Sequence, residues 1–161
     1  MATKSQILGI DPGISGAMAI IDPHTNLVKL ISDFPLHPKG AGGKNVIDAS
    51  DLAQMIEPHI PHVAFAVVED VHAMPGQGVT SMFTFGVAKG LIIGVLSAFK
   101  CPIFFVPPGV WKSCYGLSAN KSISIELAVK KYPDAAGMLT RKKDDGRAEA
   151  LLLADFGRRF I

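Results

Sequence analysis

A chain of 161 residues with 48% hydrophobic and 19% charged residues has the composition of a folded α/β domain, which excludes intrinsic disorder and any need for disulfide staples. Its two cysteines and five histidines fall in no CxxC, HxxxH or HxH spacing, so a zinc site has no support. The formal net charge of +2 selects no partner by itself. The expectation is one domain over residues 1–161 in a reducing, cytoplasmic compartment, since Met1 to Gln6 resembles no signal peptide.

Ile7-Leu8-Gly9-Ile10-Asp11 is too apolar for a surface strand and too short for an independent helix, so it reads as a strand in the middle of a sheet. It delivers Asp11 into a turn made by Pro12, Gly13 and Gly16. A carboxylate there must be paired, protonated or set beside a cation. Two readings stand open at this residue: a metal ligand, or a turn-capping aspartate that bonds its own backbone. Ala17 to Asp22 and Leu27 to Phe34 follow as strands, so the chain opens as a three-stranded antiparallel meander.

Leu36 to Asn45, with Lys39 and Lys44, reads as a loop. Asp48 or Ser50 then caps a helix running to about Glu57, stopped by Pro58 and Pro61. Val63 to Glu69 is a continuous apolar strand ending in a second acid, at the strand end where open α/β sheets place their chemistry. After a loop over His72 to Gly78, the stretch Met82 to Phe99 has nearly the length and apolarity of a membrane span. Lys89 at its centre and Gly86, Gly90 and Gly94 on one face argue instead for a central buried helix packed on a sheet or a subunit partner, with no membrane involved.

Pro102 to Val106 is a last strand, closed by Pro107-Pro108-Gly109. A helix entered through Gly116 to Lys121, capped by Ser118 or Asn120, carries Ile125, Ala128 and Val129 and ends before Pro133. The final helix runs from Asp145 to about Phe160. Lys130-Lys131, Arg141-Lys142-Lys143 and Arg158-Arg159 give this last third a positive bias. Asp145 and Glu149 are four apart and so share a helix face. Capping accounts for Asp144 and Asp145 equally well, whereas Glu149 lies past the first turn among alanines and leucines. Asp11, Glu69, Asp145 and Glu149 together, with no Cys or His, select a hard cation such as Mg²⁺ or Mn²⁺. Two such ions can activate water and stabilise the leaving oxygen of a phosphodiester.

Gly9-Ile10-Asp11-Pro12-Gly13, Val68-Glu69, Val106-Pro107-Pro108 through Trp111-Lys112, Gly116-Leu117, Lys121 and Asp145-Gly146-Arg147-Ala148-Glu149-Ala150-Leu151 together resemble the RuvC family of Holliday junction resolvases, in order over nearly the whole chain. The resemblance is closest to the short phage- or prophage-type members, which implies a bacterial or phage-infected host cell. It implies a ribonuclease H-like α/β fold with a mixed five-stranded sheet, an antiparallel meander plus parallel strands, flanked by helices. It further implies a homodimer that nicks four-way DNA junctions, and other branched DNA, with two Mg²⁺ ions per active site. The resemblance assigns Asp11, Glu69 and Glu149 as catalytic acids, with Asp145 standing in for a helix acid whose usual position is held by Gly146. It assigns Lys112 and Lys121 to DNA, and His72 to the place of an aromatic that meets junction bases. Arg141, Lys142 and Lys143 add basic charge to that interface. Two other readings are a non-catalytic branched-DNA-binding module, and an actin-like or sugar-kinase-like phosphotransferase, for which the chain has no room for a second lobe.

Overall fold

The computed structural model describes residues 4–38, 45–72, 76–117 and 121–161, the side chains of 121 and 122 excepted. Lys39 and Lys44, part of the His72 to Gly78 loop, the Ser118 and Asn120 caps and the Lys121 side chain therefore lie outside the described residues. A five-stranded mixed sheet in the order β3-β2-β1-β6-β7 forms the centre, as the resemblance implies. It comprises β1 (Gln6–Asp11), β2 (Ala17–Asp22), β3 (Leu27–Asp33), β6 (Val63–Glu69) and β7 (Ile103–Val106). The first three form the antiparallel meander, and β6 and β7 extend it in parallel with β1. Between them, β4 (Leu36–His37) and β5 (Val46–Ile47) pair as a two-residue ladder at the ends of the segment read as a loop.

Side-chain alternation divides the core. On β1, Leu8 and Ile10 face a layer containing α1 (Ala49–Ile56) and α2 (Val79–Ala98), whereas Ile7 faces α4 (Lys121–Lys131) and α5 (Asp145–Phe156). On β6, Ala66 and Val68 join the first layer and Phe65 and Val67 the second. The cap of α1 is Asp48, whose Oδ1 accepts from the Ser50 and Asp51 amides at 2.9 and 3.0 Å, and Ser50 lies inside the helix.

Two sequence expectations change here. The stretch after β7 is a helix, α3 (Pro108–Cys114), which Pro at its first position starts well because a first-turn residue has no intrahelical partner for its N–H. Helix α2 is not a central buried helix in the isolated chain. It seats only Ala88, Ile92 and Leu96 fully against the sheet, spaced by four along one face. A Cβ added at Gly86, Gly90 or Gly94 would meet no neighbouring element within 4 Å among the described residues, and Val79 and Phe83 stand 86% and 69% exposed. By length and composition alone α2 is apolar enough to cross a membrane.

Candidate active site

The same alternation that separates the layers builds the site. Asp11 follows Ile7 and Gly9 on one face of β1, and Glu69 follows Phe65 and Val67 on the same face of β6. Ile10 pairs with Val68 in the parallel register, so the next residue of each strand leaves the sheet beside the other. Helix α5 crosses this face closely because Gly9 lacks a side chain: a Cβ there would run into the Ala150 carbonyl and the Ala154 amide. Glu149 is thereby carried to the strand ends. One carboxylate oxygen from each of Asp11, Glu69 and Glu149 lies within 4.8 Å of the others.

The turn after Asp11 is held by the Gly16 amide donating to the Gly13 carbonyl at 3.1 Å, with Gly13 at φ 130°. Gly16 has no room for a Cβ against the Asp11 carbonyl. These glycines shape a hairpin turn around the acid. Gly146 has a related role, since a Cβ there would stand 2.9 Å from the Ser15 carbonyl oxygen and 3.2 Å from Asp11 Oδ2. The start of α5 presses on that turn at the position where the resemblance expects an acid. Asp145, one residue earlier, is outside the converging trio among the described residues, although its charge reaches Asp11.

Among the described residues, Trp111, Lys112 and Ser124 bind the acids. The Trp111 indole N–H donates to Glu69 Oε1 at 3.0 Å. Lys112 Nζ lies 2.9 Å from Glu149 Oε2 and 3.8 Å from Glu69 Oε1. The Ser124 hydroxyl donates to Glu149 Oε1 at 3.4 Å. Burial, followed by the charges of Glu69 and Glu149, holds the Asp11 carboxyl well above the usual carboxylate range, against the pull of Lys112. Burial also raises Glu69, opposed by the Trp111 hydrogen bond and by Lys112. Three converging carboxylates, with an ammonium among them, fit a divalent cation held by oxygen donors.

The basic residues fare differently. Lys142 and Lys143 are exposed. Arg141 is spent on a clasp, its guanidinium meeting Asp144 Oδ1 at 2.6 Å and Asp33 Oδ2 at 3.2 Å, with Arg147 on Asp33 at 2.6 Å. Asp144 occupies the N-cap position of α5, yet its carboxylate accepts from the Arg141 amide and guanidinium and not from the helix. His72 has a side chain 75% exposed and pairs with Asp70 at 3.1 Å. Lys131 and Arg158 are tied to the buried Asp155, each at 3.0 Å, which removes them from the positive bias read in the sequence. Sequence reasoning missed Trp111 and Ser124 as partners of the acids. The available signal was a lone tryptophan beside a lysine, because a buried indole N–H requires an acceptor.

No protein-family model matches the chain. Over 118 residues, 71% of its length, it is 30% identical to the chloroplastic Holliday junction resolvase MOC1 of Chlamydomonas reinhardtii. The match spans 13% of that protein, so the chain corresponds to a small part of this curated relative. Among solved structures, RuvC of T. thermophilus in complex with Holliday junction substrate superposes with a TM-score of 0.61 at 13% identity, covering 96% of this chain and 95% of that one. The fowlpox virus Holliday junction resolvase superposes with a TM-score of 0.53 at 16% identity, covering 97% and 99%. The fold is the ribonuclease H-like fold of RuvC, along almost the entire chain.

Proposed function

We propose that this chain is a RuvC-type Holliday junction resolvase, a metal-dependent endonuclease that cuts four-way DNA junctions. The observation that carries the reading is the convergence of Asp11, Glu69 and Glu149 within 4.8 Å on a fold shared with RuvC. These acids would hold Mg²⁺, or Mn²⁺ in its place, with Asp145 assisting from the first turn of α5. Bound as a pair, such ions supply an activated water and stabilise the leaving oxygen of a phosphodiester.

The chain's own residues do the rest. The two strand ends and α5 hold the carboxylates in place, so little ordering remains to be done when substrate arrives. Lys112, within the acid cluster, and Lys121 would contact the phosphates of the cut strands, while Lys142 and Lys143 would contribute salt-dependent affinity. His72, at the place where the resemblance sets an aromatic against junction bases, would stack its ring on a base.

A four-way junction has two-fold symmetry, and paired nicks require two sites related by the same symmetry, hence a homodimer. Support for that assembly comes from α2, whose outer face is apolar and open along Val79, Phe83, Val87, Gly90 and Gly94. Glycines at this spacing allow two helices to approach closely.

The test is incubation with matched four-way junction, flap and linear duplexes in Mg²⁺, with nick positions mapped on each strand. Paired symmetric nicks in the junction alone are the expected result. Junction binding without Mg²⁺-dependent cleavage would replace this reading with a non-catalytic DNA-binding module.

A further inference from the structure

Trp111 is the only tryptophan of the chain and is fully buried. Its place follows from the backbone: Glu69 pairs with Val106 across β6 and β7, and α3 begins directly after β7. The Trp111 amide bonds the Pro107 carbonyl at 3.4 Å, closing the first turn of α3 beside the end of β6. The ring packs edge-on with Tyr115 at 6.4 Å, and the Lys112 ammonium lies 5.1 Å from its centroid. An indole has one donor and no acceptor, and here that donor is committed to Glu69 Oε1.

Glu69 is itself 5% exposed, and a glutamate side chain has three rotatable bonds that water alone would leave free. Its orientation toward Asp11 and Glu149 requires a partner that does not move. A rigid ring with a single aimed N–H is such a partner, whereas Lys112 is a flexible cation shared with Glu149.

We infer that Trp111 is a positioning residue of the metal site: its indole N–H fixes the Glu69 carboxylate in the rotamer that faces Asp11 and Glu149 before a cation arrives. The inference rests on the metal-site reading above. Hydrogen-bonded partners of metal-ligating groups typically govern affinity by about 10–100-fold.

The experiment is calorimetric titration of the full chain and of Trp111→Phe with MgCl₂ alone, alongside fluorescence titration of the unsubstituted protein. Phenylalanine keeps the ring and removes the donor, so the expected result is a rise in Mg²⁺ Kd of about 10-fold or more. A folded W111F that binds Mg²⁺ with unchanged Kd overturns the inference while leaving the metal site intact. Should W111F fail to fold, the lone tryptophan decides the matter. Its emission must change along the calorimetric binding curve, because the cation alters the charge on its hydrogen-bond acceptor. Constant emission while Mg²⁺ binds overturns the inference. If the unsubstituted protein binds no Mg²⁺ in calorimetry, the metal-site reading fails and the inference with it.

Discussion

The Lys112 ammonium lies 2.9 Å from Glu149 Oε2, inside the acid cluster, with the Lys112 side chain 29% exposed and that of Glu149 14% exposed. Among the described residues it pairs with two charges that otherwise repel one another, and it reaches them from α3, a helix outside the strands and helix that carry the acids. Lys112→Met keeps the aliphatic stem and removes the charge. Metal-free K112M is expected to lose about 2 kcal/mol of stability, since an ion pair broken on one side leaves the other charge poorly solvated. Added Mg²⁺ should then raise its Tm more than that of the unsubstituted protein. Thermal unfolding in EDTA and in Mg²⁺ checks this, and equal Mg²⁺ responses would refute it.

Asp11→Asn removes a carboxylate and keeps its shape. Because burial and the charges of Glu69 and Glu149 disfavour an ionised Asp11, the metal-free variant is expected to be at least as stable as the unsubstituted protein. It should lose Mg²⁺ binding and cleavage while still binding a junction. Calorimetry, nicking assays and gel-shift measurements on one preparation test all three; full cleavage by D11N would remove Asp11 from the catalytic set.

The pH response follows from the same two acids. Asp11 and Glu69 are raised above their ordinary values of 3.8 and 4.5, so the folded chain retains protons that the unfolded chain has released. Metal-free stability from these groups therefore falls as pH rises above those ordinary values. Mg²⁺ must displace the retained protons, so its affinity rises over the same interval. The Mg²⁺-induced gain in Tm should thus grow as pH rises above those ordinary values, measured by thermal unfolding with and without EDTA.

Asp155 has the opposite sign. Hydrogen bonds from Tyr115 at 2.6 Å and Tyr132 at 2.7 Å, with Lys131 and Arg158 at 3.0 Å, hold its carboxyl below the usual range despite burial. Its contribution to stability is present above the ordinary value of 3.8 and is lost as pH falls through the lower folded value. Asp155→Ala is expected to cost about 3 kcal/mol, because two phenols and two cations lose a shared buried acceptor. Denaturant titration measures this, and nicking per folded molecule should be unchanged.

Phe83 is 69% exposed on the outer face of α2, so Phe83→Glu should cost the isolated chain under about 0.5 kcal/mol. If that face joins two copies, the charge separates them. Sedimentation equilibrium is expected to show a dimer for the unsubstituted chain and a monomer for F83E; an unchanged mass would exclude this face.

Local pattern alone determined much of this protein. Apolar runs ending in Asp11 and Glu69 define two central strands, because a short buried strand cannot alternate with polar residues, and the i, i+4 spacing puts Asp145 and Glu149 on one helix face. The meander and the final helix were legible for the same reason, whereas the parallel pairing of the later strands was implied only by the family resemblance. What the chain cannot state locally is which distant groups meet. Only the tertiary structure selects Glu149 over Asp145 for the converging trio, since the close crossing at Gly9 and Gly146 decides how α5 lies over Asp11. It alone pairs the exposed Arg141 with the buried Asp144 and Arg158 with Asp155, where charge counts read unpaired basic residues. Asp11 shows the division most plainly: its turn chemistry fits a cap and a metal ligand equally, and only the fold brings the Glu69 and Glu149 carboxylates, from β6 and from α5, beside it.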